Sequence, residues 1–401
     1  MTKSKLSNNV QKRHFQITVV GSGLTGSLMI YILIKSKIVS KENLCWVNPN
    51  TKISNDNRVS FYNYKNYQSL TKFGLKKTLN QKESININKI EVLNQKQNKP
   101  LTFSENESLG IICKNFAVQK ALSEEAKNST VINSKVINSS IDEYQRILML
   151  ENGDVITSNI VLAADGTNSL LRSLSNIKFF KHELNHIAFN GYLNMNVNSN
   201  NIARQAFLKD GPIGLLPIKD KTNNINFVWS VNKDFAKKFN SEEKILNFLI
   251  RQLNEFYKKY NIIFSKIKKT EITSKTYKWP LKLIYVPNPI ANRIALIGDA
   301  AHTIHPLAGQ GFNLSLEDCF AMLDILKNSF ETGKDFGQYE NLQKYAVKRK
   351  KRTQFMTLST TSIFYSFTNN SNFWKKSLSL GMERVEKIKL KNIFKVFASG
   401  F

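Results

Sequence analysis

The residues from Ile294 to Asp318 include types that could hold a polyhydroxylated, negatively charged ligand. Asp299 follows an apolar run typical of a short buried strand, and its carboxylate could accept hydrogen bonds from sugar-like hydroxyls. A loop with Gly309 and Gly311 comes next, and a helical pattern begins near Asn313. Because the first amides of a helix have no partner within it, they could donate to an electron-rich edge of the ligand. The segment therefore predicts a binding loop.

A second glycine-bearing turn lies near the start of the chain. It separates a strand pattern from an apolar helix pattern and reads Gly21-Ser-Gly-Leu-Thr-Gly26, so that Leu24 and Thr25 also belong to it. Gly21 permits the tight turn, Gly23 lets the backbone approach a pyrophosphate, and Gly26 allows the helix to pack closely on the strand. This setting favours dinucleotide binding over the alternative of a purely structural glycine turn.

The acidic residue that usually accompanies this glycine motif is missing. An Asp or Glu is expected about 20 residues later, at the end of the second strand, where it bonds the adenosine ribose. The predicted strand over 43–47 ends instead in Asn48, and Glu42 comes before it. A neutral hydrogen bond is weaker than a charged one by about 1 kcal/mol. We therefore expect Asn48 to take the ribose position at some expense in affinity.

A third strand pattern, over 159–164, ends in Asp165. Gly21, Asp165 and Asp299 thus each follow a predicted strand. In an open α/β sheet, strands that end at the same edge place such groups round one crevice. The three strand ends together predict a ligand as long as FAD.

Length and charge set the limits for the elements that position these residues. A chain of 401 residues can bury a large core and is expected to form two lobes. Its net charge of +28 would suit nucleic acid or an anionic membrane. The lysines are spread through the whole chain beside abundant Asn and Ile, however, which fits biased codon usage. We therefore expect no nucleic-acid partner.

The cysteines and the apolar runs indicate the compartment. Cys45, Cys113 and Cys319 are far apart and lack metal-ligand spacing, so reduced thiols in a cytosol are expected. Residues 1–15 have no apolar core typical of a signal peptide, and no apolar run has the length of a membrane-spanning helix. The sequence predicts a cytoplasmic protein, either soluble or peripheral at the inner face of the cell membrane.

Two histidines close to Asp299 are candidate metal ligands. His302 and His305 are three residues apart, but no nearby set of carboxylates and histidines completes a site. No metal is expected. His305 and Pro306 are instead expected close to the reactive ring of the ligand, without a role for His305 as a catalytic base.

Taken together, the three motifs resemble the fingerprints of class A flavoprotein aromatic hydroxylases. The first is the glycine turn, the second is Asp165-Gly166 with Ser169 and Arg172, and the third is Gly298-Asp299. The third continues through His302, Pro306, Gly309, Gln310, Gly311 and Asn313, which resembles the ubiquinone-biosynthesis branch acting on polyprenylphenols. The resemblance spans nearly the whole chain, and Asn48 and the polar insertions around 76–108 depart from it. Residues 76–108 are expected to form a surface hairpin, and 109–126 are expected to form a helix.

The resemblance implies a role for individual residues. Gly21, Gly23 and Gly26 would line the pyrophosphate, Arg58 and Gln119 would meet the cofactor and its ribityl chain, and Asp165 would serve the pyrophosphate region and NAD(P)H. Asp299 would hold ribityl hydroxyls. The full set of predicted cofactor-binding residues is Gly21, Gly23, Leu24, Thr25, Gly26, Asn48, Arg58, Gln119, Asp165, Gly298, Asp299, Pro306, Gly309, Gln310, Gly311, Phe312 and Asn313.

The expected fold is an α/β FAD-binding Rossmann-like domain of the para-hydroxybenzoate-hydroxylase type, with an inserted mixed-sheet substrate domain and C-terminal helices. Residues 1–175 and 291–330 would form the FAD-binding domain, 176–290 the substrate-binding cap, and 331–401 a helical region. In the last region, the cationic run 348–352 has the composition of a solvated helix face. Residues 382–401 could form an interfacial helix on a membrane or a helix docked on the core.

The function implied by the resemblance is FAD-dependent hydroxylation of a polyprenylated phenol, with NAD(P)H as the electron donor and O2 as co-substrate. A membrane surface or a quinone-biosynthesis complex is a possible partner. Two alternatives remain open at this stage. One is a flavoprotein reductase or epoxidase acting on a prenyl lipid, and the other is a non-hydroxylating FAD-binding protein with a basic surface.

Overall fold

A computed structural model describes residues 12–50, 53, 58–75, 84–94, 99–104, 108–197, 201–219, 223–267, 275–306, 309 and 311–368. Within this part of the chain the strands are, in order, Lys12–Val20 (β1), Leu44–Val47 (β2), Val59–Asn63 (β3), Ser84–Ile87 (β4), Lys89–Asn94 (β5), Leu101–Ser104 (β6), Gly110–Lys114 (β7), Thr130–Ile132 (β8), Val136–Ile141 (β9), Arg146–Leu150 (β10), Val155–Ala163 (β11), Phe180–Met195 (β12), Ile202–Leu208 (β13), Gly211–Pro217 (β14), Asn224–Asn232 (β15), Phe264–Ser265 (β16), Tyr277–Tyr285 (β17), Ile290–Ala291 (β18), Ile294–Leu296 (β19) and His302–Thr303 (β20).

The helices of the same part of the chain vary from one turn to eight turns. They are Leu24–Ser36 (α1), Tyr64–Leu70 (α2), Asn115–Ala126 (α3), Leu170–Leu174 (α4), Lys233–Ala236 (α5), Glu242–Tyr257 (α6), Gly311–Glu331 (α7) and Tyr339–Thr368 (α8). Short helical turns occur at Lys41–Asn43, Thr71–Leu75, Lys258–Tyr260 and Gly298–Ala300.

An eight-stranded sheet positions the three predicted strand ends. Its central path runs β18-β19-β11-β1-β2-β8, and β1 pairs in parallel with β11, as β11 does with β19. Val20 lies opposite Ala163, and Ala163 lies opposite Leu296. The residues after these positions therefore meet at one edge of the sheet, as the sequence predicted.

Both faces of the central parallel strands β1, β2 and β11 are buried towards their carboxyl ends, which explains why these ends are almost continuously apolar. Ile17 and Val19 of β1 pack in one hydrophobic cluster with α1 and α7. Phe15 and Val20 belong to a second cluster with residues of β10 and β11. Helix α1 is buried from Gly26 to Ile34 because it lies between the sheet and other helices.

A nine-stranded sheet forms the second lobe. Eight of its strands follow the order β20-β17-β12-β15-β14-β13-β5-β6, and the ninth, β16, pairs with β12 off this path. Helix α6 covers one face of it, with Ile245, Leu249 and Leu253 buried, and the side chain of Ser241 caps its first turn. The hairpin of β5 and β6 joins this sheet through parallel pairing of β5 with β13. This hairpin falls in the region predicted to be a polar surface hairpin, yet Ile90 is buried in the hydrophobic core.

A three-stranded sheet, ordered β3-β7-β4, lies beside these two. The sequence predicted a helix from Leu109 to Ala126, and its first part was wrong. Residues Gly110–Lys114 form β7 because Ile111, Ile112 and Cys113 are buried in pairing with β3.

The three cysteines are buried thiols in different parts of the molecule. Cys45 lies in β2, Cys113 in β7 and Cys319 in α7. Burial raises the pKa of the Cys45 thiol to about 12, and it raises that of Cys319 well above its ordinary value. No helix in the described ranges is both long enough and apolar enough to cross a membrane.

Candidate functional site

Each glycine of the first turn is required for a different physical reason. Gly21 has a φ of +136°, and a Cβ there would lie 2.2 Å from the carbonyl oxygen of Ala164. A Cβ on Gly26 would lie 2.2 Å from the carbonyl oxygen of Gly21. A Cβ on Gly23, by contrast, would meet no atom within 4 Å, and Gly23 lines an open cavity. The chain's own packing thus requires two of the glycines, and the third leaves room for a ligand.

The cavity beside this turn has a volume of about 460 Å³, which is in the range of small-molecule sites. It connects the carboxyl edge of the eight-stranded sheet with one face of the nine-stranded sheet. The predicted cofactor residues that line it are Gly23, Leu24, Thr25, Arg58, Gln119, Asp299, Pro306, Gly309, Gly311 and Phe312. Other predicted residues lie within the described ranges but do not line the cavity: Gly21, Gly26, Asn48, Asp165, Gly298, His305 and Asn313. Gln310 lies outside the described ranges.

Asp299 presents its carboxylate to this cavity from the turn after β19. Its side chain is accessible from the cavity but is otherwise enclosed by protein. Asp299 is exposed toward the cavity, and the partial loss of water around its carboxylate raises its pKa, although His302 and Arg58 act in the opposite direction. A hydrogen-bond acceptor of this kind suits a ligand that brings hydroxyl donors to it.

A buried polar network holds the Asp299 turn from behind. Asp318 on α7 accepts from the backbone N–H of Gly298 at 2.9 Å, is bonded to Nε2 of His302, and accepts from Nε of Arg349 at 2.7 Å. Burial alone would raise the pKa of Asp318, but His302 and Arg349 bring it below its ordinary value. Gly298 has a φ of +62°, and a Cβ there would lie 2.7 Å from Oγ1 of Thr25.

Sequence reasoning missed this network. The run 348–352 was predicted to be a solvated helix face, and that prediction was wrong for Arg349 and Arg352. Both guanidinium groups are largely buried and bond to Glu317 on α7. The signal available was their spacing of three residues, which places them on the same face of α8.

Asn313 anchors the start of α7 to the three-stranded sheet. Its Nδ2 donates to the carbonyl oxygen of Phe61 at 2.7 Å, and its Oδ1 accepts from the backbone N–H of Asn63 at 3.0 Å. Asn66 also donates to Oδ1, at 3.0 Å. The side chain is therefore buried away from the cavity and fixes the position of the N-terminal turn of α7, where Gly311 and Phe312 line the wall.

Gln119 and Asn48 lie on either side of the glycine turn. Nε2 of Gln119 donates to the carbonyl oxygen of Ser22 at 2.6 Å. The backbone N–H of Asn48 donates to Ile132, and its Oδ1 accepts from the backbone N–H of Asn50 at 3.3 Å. Gln119 thus supports the turn and lines the cavity, whereas one oxygen of Asn48 is used in a local turn.

Asp165 organises the chain after β11. Its Oδ2 accepts from the backbone N–H of Leu171 at 3.1 Å, and burial raises the pKa of the carboxyl group. Arg172 then reaches back, with Nη1 donating to the carbonyl oxygen of Ala300 at 2.8 Å and Nη2 to that of Thr167 at 3.0 Å. The second and third strand ends are therefore bonded to each other.

His305 and Pro306 differ in their surroundings. Pro306 lines the cavity, whereas His305 is buried with its ring centroid 4.5 Å from that of Phe364. Neither ring nitrogen of His305 bonds to another described residue, and burial lowers its pKa to about 3. In the described part of the chain, no group of three or more His, Cys, Asp and Glu residues is placed to hold a metal ion.

The nine-stranded sheet supplies the opposite wall. Gly214, Val228 and Asn190 lie opposite one another on β14, β15 and β12. Leu216 and Trp279 are displaced by two residues from this row and therefore share its face, and all five residues line the cavity. Sequence reasoning did not identify these residues, because an alternating pattern does not reveal which face of a sheet meets a ligand.

The residues present fit FAD. The open space at Gly23 admits a pyrophosphate, and the N-terminal amides of α7 are suited to an electron-rich ring edge. Asp299 provides an acceptor for a polyol, and Arg58 contributes a cation to the same wall. The cavity thus offers groups for the pyrophosphate, the polyol and the ring of the cofactor.

Comparison with known proteins identifies the family. The model of the family described as FAD binding domain matches residues 14–359. The chain is 25% identical over 379 residues to the ubiquinone biosynthesis monooxygenase COQ6, mitochondrial, of Caenorhabditis elegans, covering 83% of this chain and 84% of that protein. It is 29% identical over 286 residues to 3-demethoxyubiquinol 3-hydroxylase of Escherichia coli (strain K12), covering 70% of each.

Solved structures share the fold. The p-nitrophenol 4-monooxygenase PnpA of Pseudomonas putida DLL-E4 superposes with a TM-score of 0.75 at 16% identity, covering 97% of this chain and 99% of that one. The R204Q variant of HpxO from Klebsiella pneumoniae, complexed with FAD, gives a TM-score of 0.73 at 13% identity, covering 96% and 100%. With the family match over most of its length, the chain belongs to the FAD binding domain family and is a FAD-dependent monooxygenase.

Proposed function

We propose that this enzyme hydroxylates a polyprenylated phenol in ubiquinone biosynthesis, with NAD(P)H as the electron donor and O2 as the oxygen source. The observation that carries the proposal is one cavity that joins ten of the predicted cofactor residues to a face of the nine-stranded sheet. The names of the two curated relatives supply the pathway. The geometry that supports the proposal is a cavity of about 460 Å³ with lining residues from the carboxyl edge of the eight-stranded sheet and from the nine-stranded sheet.

The chain's own residues bind and orient the cofactor. In this proposal Gly23 receives the pyrophosphate, Asn48 the adenosine ribose and Asp299 the ribityl hydroxyls, and the amides from Gly309 to Asn313 face the pyrimidine edge. Arg58, Gln119 and Asp165 contribute to the same groove. Bound FAD supplies the redox chemistry that activates O2. The protein supplies position and a fixed electrostatic environment.

The substrate wall orients an aromatic ring and excludes water. Leu216, Val228, Leu281 and Ile304 are apolar residues of the cavity wall, and Trp279 adds a large flat side chain. Burial of a prenylated ring against these groups is favourable because it removes apolar surface from water. Exclusion of water also protects reactive intermediates from side reactions.

The test measures coupled turnover with the purified FAD-containing enzyme. Addition of a short-chain prenylated phenol should stimulate NAD(P)H oxidation and O2 uptake, and mass spectrometry should find one oxygen atom added to the ring. An oxygen added to the prenyl double bond would identify an epoxidase instead. NAD(P)H oxidation that is indifferent to the phenol, with no oxygenated product, would contradict the proposal.

The proposed domain boundaries place the substrate cap at 176–290 between the two parts of the FAD domain, with 331–401 as the C-terminal region.

We also propose that the enzyme acts at the surface of the cell membrane, because a polyprenylphenol resides in the bilayer. Residues 382–401, for which an interfacial helix and a helix docked on the core were the two alternatives, lie outside the described ranges.

Flotation with anionic liposomes tests this location. The full chain should float with the vesicles, and a chain ending before Met382 should float less. Equal flotation of the two chains would contradict a role for the C-terminal residues. Failure of both to float would contradict membrane association itself.

A further inference from the structure

A glycine lies in the middle of the substrate wall. Gly214 belongs to the interior of β14, it is partly exposed, and it lines the cavity. Glycine in the interior of a strand is unfavourable, because it has no side chain to pack and loses more conformational freedom on folding than other residues. Such a glycine usually marks a bulge, a backbone conformation that other residues avoid, or the close approach of another group.

The strand itself excludes the first two of these reasons. Gly214 pairs with Gln205 on one side and with Val228 on the other, and neither ladder shifts its register at this point. Its φ lies outside the left-handed region, unlike that of Gly211 at the start of the same strand. The backbone conformation therefore permits a residue with a side chain at position 214.

The packing of the chain does not require this glycine either. Among the described residues, a Cβ at Gly214 would meet one atom within 4 Å, Oε1 of Gln205 at 3.5 Å, which is an ordinary contact distance. The other glycines in the strands of this sheet differ. A Cβ at Gly211 would lie 1.9 Å from a backbone oxygen of β15, and one at Gly191 would lie 3.0 Å from the ring of Phe227. The space above Gly214 is thus open, and it belongs to the cavity that Gly214 lines.

We propose that Gly214 sets the depth of the substrate compartment, the part of the cavity next to the nine-stranded sheet, because the aromatic ring of the phenol lies against the bare backbone of β14 there. This inference rests on the proposed function, and it names a residue that determines specificity by size. Val228 and Leu216 flank Gly214 on the same face, and their side chains bound the space above it. A ring seated there contacts the peptide groups at about 3.5–4.0 Å, which a side chain at position 214 would prevent.

The test enlarges position 214 and measures ligand binding. Dissociation constants of ortho-prenylphenol and of ortho-cresol are measured on the FAD-containing enzyme from the absorbance change of the bound flavin. Gly214→Ala should weaken the binding of ortho-prenylphenol about tenfold and Gly214→Val about 100-fold, since each added group overlaps the ring. The loss for ortho-cresol should be smaller in both variants, because a small ligand can move away from the wall.

Cofactor affinity and stability show whether the effect is one of size. FAD titration of the apoprotein should give a dissociation constant within about threefold of the wild type for both variants. Both should unfold at or above the wild-type temperature, because glycine is the least favourable of the three residues in a strand. Ser265→Val is the matched control: Ser265 is exposed on β16 of the same sheet and does not line the cavity, so its loss should leave both ligand affinities unchanged.

The outcomes separate this inference from the proposed function. If the wild type hydroxylates ortho-prenylphenol and Gly214→Val binds it with wild-type affinity, the ring lies elsewhere. A parallel loss of FAD affinity would mean that the glycine makes room for the cofactor, and a much lower melting temperature of both variants would mean that the fold requires it. Each of these three results overturns the inference and leaves the proposed function standing. If the wild type binds neither ligand and its NAD(P)H oxidation ignores the phenol, both are overturned.

Discussion

The three glycines of the first turn look equivalent in the sequence motif, but they have different roles in the folded protein. Gly26→Ala would place a Cβ against the carbonyl oxygen of Gly21, and we expect it to destabilise the apoprotein by about 3 kcal/mol. Gly23→Ala meets open space, so the apoprotein should unfold at the wild-type temperature. The dissociation constant of FAD should nevertheless rise by about tenfold, since the methyl group occupies the path of the pyrophosphate.

Apoprotein melting and FAD titration measured on both variants check this expectation. An apoprotein of Gly23→Ala that melts well below the wild type would show that Gly23 has a structural role. Wild-type FAD affinity in Gly23→Ala would contradict the placement of the pyrophosphate.

His305 predicts a pH dependence of stability. Its pKa in the folded protein is about 3, below the ordinary value of about 6.5. Between these values the unfolded chain binds more protons, so stability falls as pH decreases below about 6.5, by up to about 1.4 kcal/mol per pH unit. His305→Leu removes this contribution, and its unfolding free energy should decrease less than that of the wild type between neutral and mildly acidic pH.

Urea unfolding at several pH values measures the difference. The control for the substitution itself is His182→Leu, at an exposed position on β12. The interpretation fails if His305→Leu and the wild type lose stability in parallel on acidification.

At the level of elements, α8 is joined to the site by charge as well as by apolar packing. Arg349→Met leaves Asp318 buried without its guanidinium partner and should cost about 3–5 kcal/mol in unfolding free energy. It should also weaken FAD binding, since Asp318 holds the turn that carries Asp299. Lys348→Met, its neighbour in the same run, breaks only an exposed pair with Asp324 and should cost less than about 1 kcal/mol.

Chemical unfolding measures the free energy of unfolding of the two variants, and FAD titration measures their affinity for the cofactor. Equal effects of Arg349→Met and Lys348→Met would mean that the buried network does not support the turn.

The elements also show what the sequence could and could not reveal. The strand ends at Gly21, Asp165 and Asp299 were predictable because parallel strands have a local pattern and a common edge. The burial of Arg349 was not, because its partners lie on another helix and have no local signature. Asn190 was likewise hidden, since only the register of β12 against β15 places it on the cavity face. The helix predicted over β7 failed because its pairing with β3 is non-local.

For the whole molecule, the pairing of strands joins the lobes more closely than the order of the chain implies. The nine-stranded sheet takes β5 and β6 from before the predicted cap and β20 from after it. A segment of residues 176–290 would therefore expose the edge of β13 and the edge of β17, which invites aggregation. We expect this segment to show no cooperative unfolding when expressed alone, whereas the full chain does. Circular dichroism during heating measures this, and a sharp transition in the isolated segment would contradict it.

The reaction rate of each buried cysteine with a thiol reagent reports how often the structure around that cysteine opens. A thiol reagent reacts with the thiolate, and Cys45 and Cys319 are both shielded and difficult to ionise in the closed protein. Cys45 reports on the parallel sheet, Cys113 on the three-stranded sheet and Cys319 on the helix behind the cavity, where its thiol donates to the carbonyl oxygen of Thr25. Slow alkylation followed by peptide mapping would thus give a separate rate of local opening for each of these three parts of the protein. Of the three alkylation rates, only that of Cys319 should decrease markedly when FAD is added.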